Sequence, residues 1–306
     1  MKLSICIPTY NRAEYLRKAV SSVLAYNGDE IELIVQDNCS IDNTSAVVKS
    51  IHDTRLKYYR NDVNIGAIKN VIDIIKKANG EYVFLLTDDD YLLPGAIEEV
   101  LKFINQNDIY FFRTDLLIYL CNQKKTYYRS YIDSSLVFNF DNDKKLLFNN
   151  LFFSCHVLTG LCFKKNIIDF NMLNNFENNW YPQMSLAAQF YFNKKNVGYL
   201  AEPIAMHIWE NETYWGINND SQEILCKSMF DIILEYKRYL SYDKLKKMIY
   251  YFTFDNKHLP YKLDELKFID KCILKIKFHF YMFLNGINYY ARKIYNKIIS
   301  FIDMVK

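Results

Sequence analysis

The chain has 306 residues, a formal net charge of +3 and 51% hydrophobic residues, enough for a sizeable core and too apolar for intrinsic disorder. Its 8 Gly and 5 Pro exclude collagen-like and Pro/Gly-rich linker architectures. Its 7 Cys, an odd number without a C-x-x-C, argue against a disulfide framework and a structural zinc site.

At about 100–200 residues per domain, the length suits one large domain or a domain with an appendage. No basic, apolar leader precedes Leu3, and no apolar run reaches the roughly 18 residues of a spanning helix. The expectation is a reduced, cytoplasmic protein.

Apolar runs at Leu3–Ile7, Ile31–Val35 and Tyr82–Leu86 read as buried parallel strands. Helical periods lie between and after them. Leu16, Ala19, Val20, Val23 and Leu24 form one stripe; Ile68, Val71, Ile72 and Ile75 form another. Pro94 opens a third, continued by Ile97, Val100, Leu101 and Ile104. This alternation predicts an α/β sandwich, in which ligands bind at the carboxyl ends of the strands. Polar residues gather at those ends: Pro8-Thr-Tyr-Asn-Arg12, Asp37-Asn-Cys-Ser40 and Thr87-Asp-Asp-Asp90.

Beyond residue 108 the texture changes. Ile109–Phe112, Leu116–Leu120, Tyr127–Ile132, Leu136–Phe140, Val197–Leu200 and Ile204–Ile208 read as strands. Residues 183–192 read as a helix, Asn171–Asn179 as a loop, and everything after about 221 as helical. The expected organisation is a domain over 1–220, with an alternating α/β half (1–108) and a strand-rich second half (109–220). A C-terminal helical region follows over 221–306.

Three adjacent carboxylates at a strand end, Asp88, Asp89 and Asp90, repel one another and form a site that Mg²⁺ or Mn²⁺ would neutralise together with a substrate's phosphates. The same tetrapeptide also suits a solvated acidic turn before a helix. Asp37 suits a nucleobase N–H or a ribose hydroxyl, and equally a turn or helix cap. Arg12 suits a phosphate and Tyr10 a stacked base, or both suit an ordinary βα turn. Neither G-x-G-x-x-G nor G-x-x-x-x-G-K-[ST] is present.

Together these segments resemble family 2 glycosyltransferases. The resemblance runs through Ile5-Cys-Ile-Pro-Thr-Tyr-Asn-Arg12, Glu32-Leu-Ile-Val-Gln-Asp-Asn-Cys-Ser40, Asn64-Ile-Gly66 with Asn70, and Gly80 to Pro94, about the first 105 residues. It implies a GT-A-type, Rossmann-like α/β fold with a mixed sheet. It also implies a nucleotide-diphosphate sugar donor, inversion at the sugar carbon, and a glycan or lipid-linked acceptor in surface polysaccharide synthesis.

By the same resemblance Pro8, Thr9, Tyr10, Arg12, Asn64, Gly66 and Asn70 belong to the nucleotide-sugar pocket. Asp37 contacts the base, and Asp88 lies beside the ribose and diphosphate. Asp89 takes the metal-ligand place, with Asp90 and His207 as further ligands.

The second half departs from the family pattern. Its turn reads Leu158-Thr-Gly-Leu161, and the place of the acidic pair that supplies the base reads Asn179-Trp-Tyr-Pro-Gln183. A subgroup transferring dideoxy sugars such as abequose is similar here. Glu177 and His156 are the candidate bases, with Asp169 nearby. The alternatives are a catalytically inactive member serving as a glycan-binding scaffold, and a sugar-phosphate nucleotidylyltransferase.

Charge is unevenly placed. Residues 1–110 hold 12 Lys/Arg against 16 Asp/Glu, whereas residues 267–306 hold 8 against 2, a net of +6. Mixed with Phe, Tyr and Ile at helical spacing, that tail suits the anionic inner face of the plasma membrane, or packing on the domain. No nucleic-acid-binding motif accompanies it.

Overall fold

A computed structural model describes residues 1–130, 132–139, 151–152, 154–177, 179, 181–209 and 232. The chain divides into two compact units, Met1–Leu240 and Ser241–Lys306, and the described residues all belong to the first. The boundary near 220, the helical region over 221–306 (Ile232 excepted) and the basic tail 267–306 lie outside the described residues.

The first third alternates as its periodicity predicts: β1 (Leu3–Thr9), α1 (Ala13–Leu24), β2 (Ile31–Asp37), α2 (Thr44–Lys49), β3 (Leu56–Arg60), α3 (Ala67–Lys77), β4 (Tyr82–Leu85), β5 (Tyr91–Leu92) and α4 (Ala96–Gln106). Then come β6 (Phe111–Leu120), β7 (Lys125–Arg129), β8 (Leu136–Phe138), β9 (Leu161–Lys164), α5 (Phe170–Asn174), α6 (Pro182–Phe192) and β10 (Val197–Trp209).

Ten strands form one mixed sheet in the order β3-β2-β1-β4-β9-β6-β10-β5, with β7 on β6 and β8 on β10. Strands β3, β2, β1 and β4 are parallel. Strand β9 enters antiparallel between β4 and β6, so β6 again runs in the direction of β4, and β10 is parallel to β6. The carboxyl ends of β1, β2, β4 and β6 therefore share one edge.

On one face, Leu16, Ala19, Val20 and Val23 of α1 and Ile97, Val100 and Ile104 of α4 pack on Leu3, Ile5, Leu33, Phe84 and Phe112. Each such side chain contributes roughly 1.5–3 kcal/mol of burial. The other face carries α3, against β1 and β2, and α6, whose Phe190 stacks on Phe111 at 5.7 Å between ring centroids. Among the described residues no helix is long and apolar enough to cross a membrane.

Several expected elements take another form. Ile109–Phe112 and Leu116–Leu120 merge into β6, because Arg113, Thr114 and Asp115 are fully buried within the strand instead of forming a loop. Val197–Leu200 and Ile204–Ile208 merge into β10, whose register shifts on either side of Pro203. A proline lacks the N–H of a regular ladder and is accommodated at such an irregularity. The 171–179 segment holds α5, started by Asp169, whose carboxylate accepts the Met172 N–H at 3.0 Å. That bond gives Asp169 a capping role. Strands β3 and β9 and helix α2 were not foreseen.

Candidate active site

The β1–α1 loop is shaped by local chemistry. Asn11 takes a positive φ of 53°, tolerated by its short polar side chain, and its Oδ1 accepts the Ile41 N–H. The Asn11 N–H donates to Ser40 Oγ, and the Ala13 N–H donates to Asp42. This loop is thereby stitched to the one following β2. Pro8 and Thr9 close β1, with Thr9 beside Asp37 in register. Tyr10 is 42% exposed at the strand edge. Arg12 reaches back until its Nη1 lies 3.9 Å from Asp89 Oδ2.

Asp37 is fully buried, and its carboxylate is occupied within the protein. Oδ1 accepts the Ser40 N–H at 2.8 Å, and Oδ2 accepts the Tyr58 hydroxyl at 2.6 Å with Arg60 Nε at 3.5 Å. The phenol of Tyr58 is pushed up to about 12, first by burial and then by that bond. A nucleobase reaching the carboxylate has to share it with these groups.

Asn64, Gly66 and Asn70 shape the loop that enters α3. Asn64 Oδ1 accepts the Gly66 N–H, and Gly66 has a φ of 87°, where a side chain would be strained. Asn70 is 2% exposed, donates to the Gln36 carbonyl and accepts from Asn61. Asn38 joins them through Asn64 and Asn61. This amide network fixes the strand-end shelf beside Asp37.

The acidic turn follows β4. Asp90 is 1% exposed, accepts the Ile208 N–H at 2.9 Å and the Thr159 hydroxyl, and stands 3.0 Å from His207 Nδ1. Burial opposes its ionisation, but His207 and these donors hold its carboxyl below the usual carboxylate range. An ionised carboxylate only accepts, so Nδ1 carries the proton. Burial alone would pull His207 down; the Asp90 charge and bond, with Asp89 beyond, raise it instead.

Its neighbours respond the other way. Burial raises the Asp88 carboxyl to about 7, the Asp89 charge adds to the rise, and the Thr9 hydroxyl, Arg12 and the Tyr10 N–H oppose it. Asp89 is raised first by burial and then by the Asp90 charge. The turn thus holds one firmly ionised carboxylate and two that a cation would ionise further.

Among the described residues no three His, Cys, Asp or Glu side chains form a ready-made metal cage. Divalent cations shared with phosphates need only one or two protein carboxylates. Asp89 fits that part, since its contact with Arg12 is long. Asp90 does not: its lone pairs are committed to Ile208, Thr159 and His207, so it orients the imidazole instead. His207 keeps Nε2 as its remaining ligating nitrogen, in the arrangement typical of a carboxylate-supported metal ligand.

The candidate bases stand apart. Glu177 is ion-paired with Lys69 Nζ at 3.5 Å, in the first turn of α3, instead of with the acidic turn. The His156 carbonyl accepts from Gln183 Nε2 at the start of α6.

Two participants were missed by sequence reasoning. Thr159 is fully buried; its Oγ1 accepts the Thr87 N–H at 3.0 Å and donates to Asp90. Arg113, also fully buried, donates from Nη1 to the Thr159 carbonyl. A threonine inside an already noted turn was the available signal for the first. Nothing local marked the second.

Comparison with known proteins identifies the fold and family. A GalNAc(5)-diNAcBac-PP-undecaprenol beta-1,3-glucosyltransferase of Campylobacter jejuni is 35% identical over 119 residues, 38% of this chain and 38% of that protein. Abequosyltransferase RfbV of Salmonella typhimurium is 33% identical over 133 residues, 41% of this chain and 37% of its own length. The chain thus matches well under half the length of these curated relatives. The crystal structure of S. aureus TarS 1-349 in complex with UDP superposes with a TM-score of 0.61 at 17% identity, over 87% of this chain and 77% of that one, which establishes a shared GT-A-type fold. The glycosyl transferase family 2 model matches residues 4–166, the span that holds β1 to β9 and the acidic turn, and the chain belongs to that family.

Proposed function

We propose that the protein transfers a hexosyl or deoxyhexosyl unit from a nucleotide-diphosphate sugar to a hydroxyl of a glycan or lipid-linked acceptor, with inversion. The observation that carries this reading is the convergence of Arg12, Asp88, Asp89 and the Asp90–His207 pair on one strand edge. Supporting it, one relative named above is a beta-1,3-glucosyltransferase named for a PP-undecaprenol glycan, another is an abequosyltransferase, and TarS was crystallised in complex with UDP.

The chain's residues divide the work by position. The β1–α1 loop and the amide shelf around Asn38 receive the nucleotide, with Asp37 at the base end. Arg12 offers a guanidinium to the diphosphate, and Asp88 and Asp89 face it from β4. Asp89, with His207 Nε2, would hold Mg²⁺ or Mn²⁺, which when bound stabilises charge growing on the departing nucleotide. Asp90 fixes the His207 ring, and the protein's main contribution is positioning and fixed electrostatics. None of the candidates is assigned as base for the acceptor hydroxyl, since Glu177 is ion-paired with Lys69 at the start of α3 and stands apart from the acidic turn. The tail over 267–306 would bring the enzyme to an anionic membrane surface where lipid-linked acceptors lie.

The test is turnover of a panel of UDP-, GDP- and CDP-sugars, with Mn²⁺ and with EDTA. Release of nucleotide from at least one donor, lost with EDTA, is expected. A folded protein that neither binds nor turns over any of them would leave the scaffold reading in its place.

A further inference from the structure

The turn Leu158–Leu161 carries more hydrogen bonds to the acidic motif than a connection between strands requires. Thr159 Oγ1 accepts the Thr87 N–H at 3.0 Å, lies 2.9 Å from Thr87 Oγ1, and donates to Asp90 Oδ2. One buried hydroxyl thus grips both ends of Thr87-Asp-Asp-Asp90. The turn itself is tied down: the Gly160 N–H donates to the Leu85 carbonyl at 3.0 Å, and the Thr114 N–H donates to the Gly160 carbonyl at 3.0 Å.

A second, independent observation lies directly behind it. Arg113 is fully buried and donates through Nη1 to the Thr159 carbonyl, while its Nε and Nη2 have no hydrogen-bond partner among the described residues. A buried guanidinium so poorly satisfied costs stability, and an apolar residue of similar volume would be easier to accommodate there. Its neighbours make room for it: a Cβ on Gly160, which has a φ of 88°, would lie 2.3 Å from Arg113 Nη1 and 2.5 Å from Thr114 Oγ1. A costly charge held against one particular carbonyl is the pattern expected where function, not packing, selects the residue.

We propose that Thr159 and Arg113 are a positioning pair for donor binding: Arg113 fixes the Thr159 carbonyl, and Thr159 fixes the spacing of Thr87 and Asp90, so that Asp88 and Asp89 face the diphosphate ready-made. The proposal rests on the donor reading given above. It assigns neither residue a contact with substrate.

The experiment compares Thr159→Val, which keeps the shape and removes the hydroxyl, with Thr159→Ser, which keeps the hydroxyl. The first readout needs no ligand. Amide hydrogen exchange at Thr87 should quicken in the valine variant and stay as in wild type in the serine variant. The second is UDP affinity by calorimetry in Mn²⁺. It should fall about 10- to 100-fold for valine, the usual cost of losing an orienting partner, and stay within about threefold for serine. Arg113→Met should keep or raise the melting temperature and still weaken UDP binding.

Valine and serine behaving alike in both readouts overturns the proposal, as does Arg113→Met binding UDP like wild type. If wild-type protein ignores UDP, GDP and CDP alike, the donor reading fails, and the exchange rates still decide whether the clamp exists. Should the valine variant not fold, Thr159→Ala takes its place under the same criteria.

Discussion

His207 Nδ1 lies 3.0 Å from both carboxylate oxygens of Asp90, a residue 117 positions earlier in the chain. The pair joins the last described strand to the acidic turn. Its energetics set a stability profile whose sign can be worked out. His207 is raised above 6.5, so its contribution is complete below pH 6.5 and is lost as pH rises through the folded value. Asp90 is lowered from 3.8, so its contribution is complete above pH 3.8 and is lost as pH falls through its folded value. Thermal melts of His207→Gln against wild type should therefore differ most between pH 3.8 and 6.5, where both contributions are complete, and the difference should shrink as pH rises through the folded value of His207. A difference independent of pH from 5 to 9 would show that the ring only packs there.

Asp88 supplies a proton count. Burial holds its carboxyl up at about 7, so it keeps part of its proton near neutrality in the ligand-free protein. Binding of Mn²⁺ with UDP should expel that proton, releasing a fraction of a proton per site at pH 7 and less at pH 8. Calorimetric titrations in buffers of different ionisation enthalpy read the number directly. An observed enthalpy that ignores the buffer would remove Asp88 from the binding site.

Asp89→Ala should abolish donor turnover and leave the melting temperature within about 1 °C, since a half-buried loop carboxylate whose contact with Arg12 is long takes no core volume with it. Loss of one carboxylate at such a site typically leaves little of the cation's hold. Folded Asp89→Ala protein with near-normal turnover would sink its assignment.

Asp37→Ala should behave differently, as a stability mutant. It strips buried donors from Ser40 and Tyr58 of their acceptor and frees Arg60, at a cost of about 2–4 kcal/mol. Asp37→Asn keeps one acceptor and separates the roles. If the carboxylate also serves a nucleobase, UDP affinity falls in the asparagine variant by more than its small loss of melting temperature explains. If affinity tracks stability alone, Asp37 only holds the loop.

The part of the fold that alternates in the sequence was legible because each element carried its own period. Leu16, Ala19, Val20 and Val23 are buried as their stripe requires, and β1, β2 and β4 are mostly apolar, buried runs interrupted by few polar residues such as Ser4 and Glu32. Strand β3 escaped because it lies at the sheet edge, with Tyr59 and Arg60 exposed, and has no buried face to advertise. Strand β6 was split in two because Arg113-Thr-Asp115 reads as polar and yet is buried, which only partners distant in sequence make tolerable. The acidic turn could be found from three adjacent carboxylates. What distinguishes the three could not: Asp90 is held ionised by Thr159, His207 and Ile208, all supplied by later segments.

Strand β10 also orders events in time. Strands β1, β2 and β4 have all been synthesised by residue 85, whereas His207 and the Ile208 N–H follow Asp90 by 117 and 118 positions. At about 5–20 residues per second, the nascent chain carries its acidic turn for roughly 6–24 s before the strand that closes it is made. During that interval β6 lacks its longest neighbour and presents an open sheet edge, the surface on which chains mispair. A chain interrupted before residue 207 would keep the loops after β1, β2 and β4 and lack the imidazole. The contacts that close the acidic turn are therefore acquired late in synthesis, at a moment set by chain order.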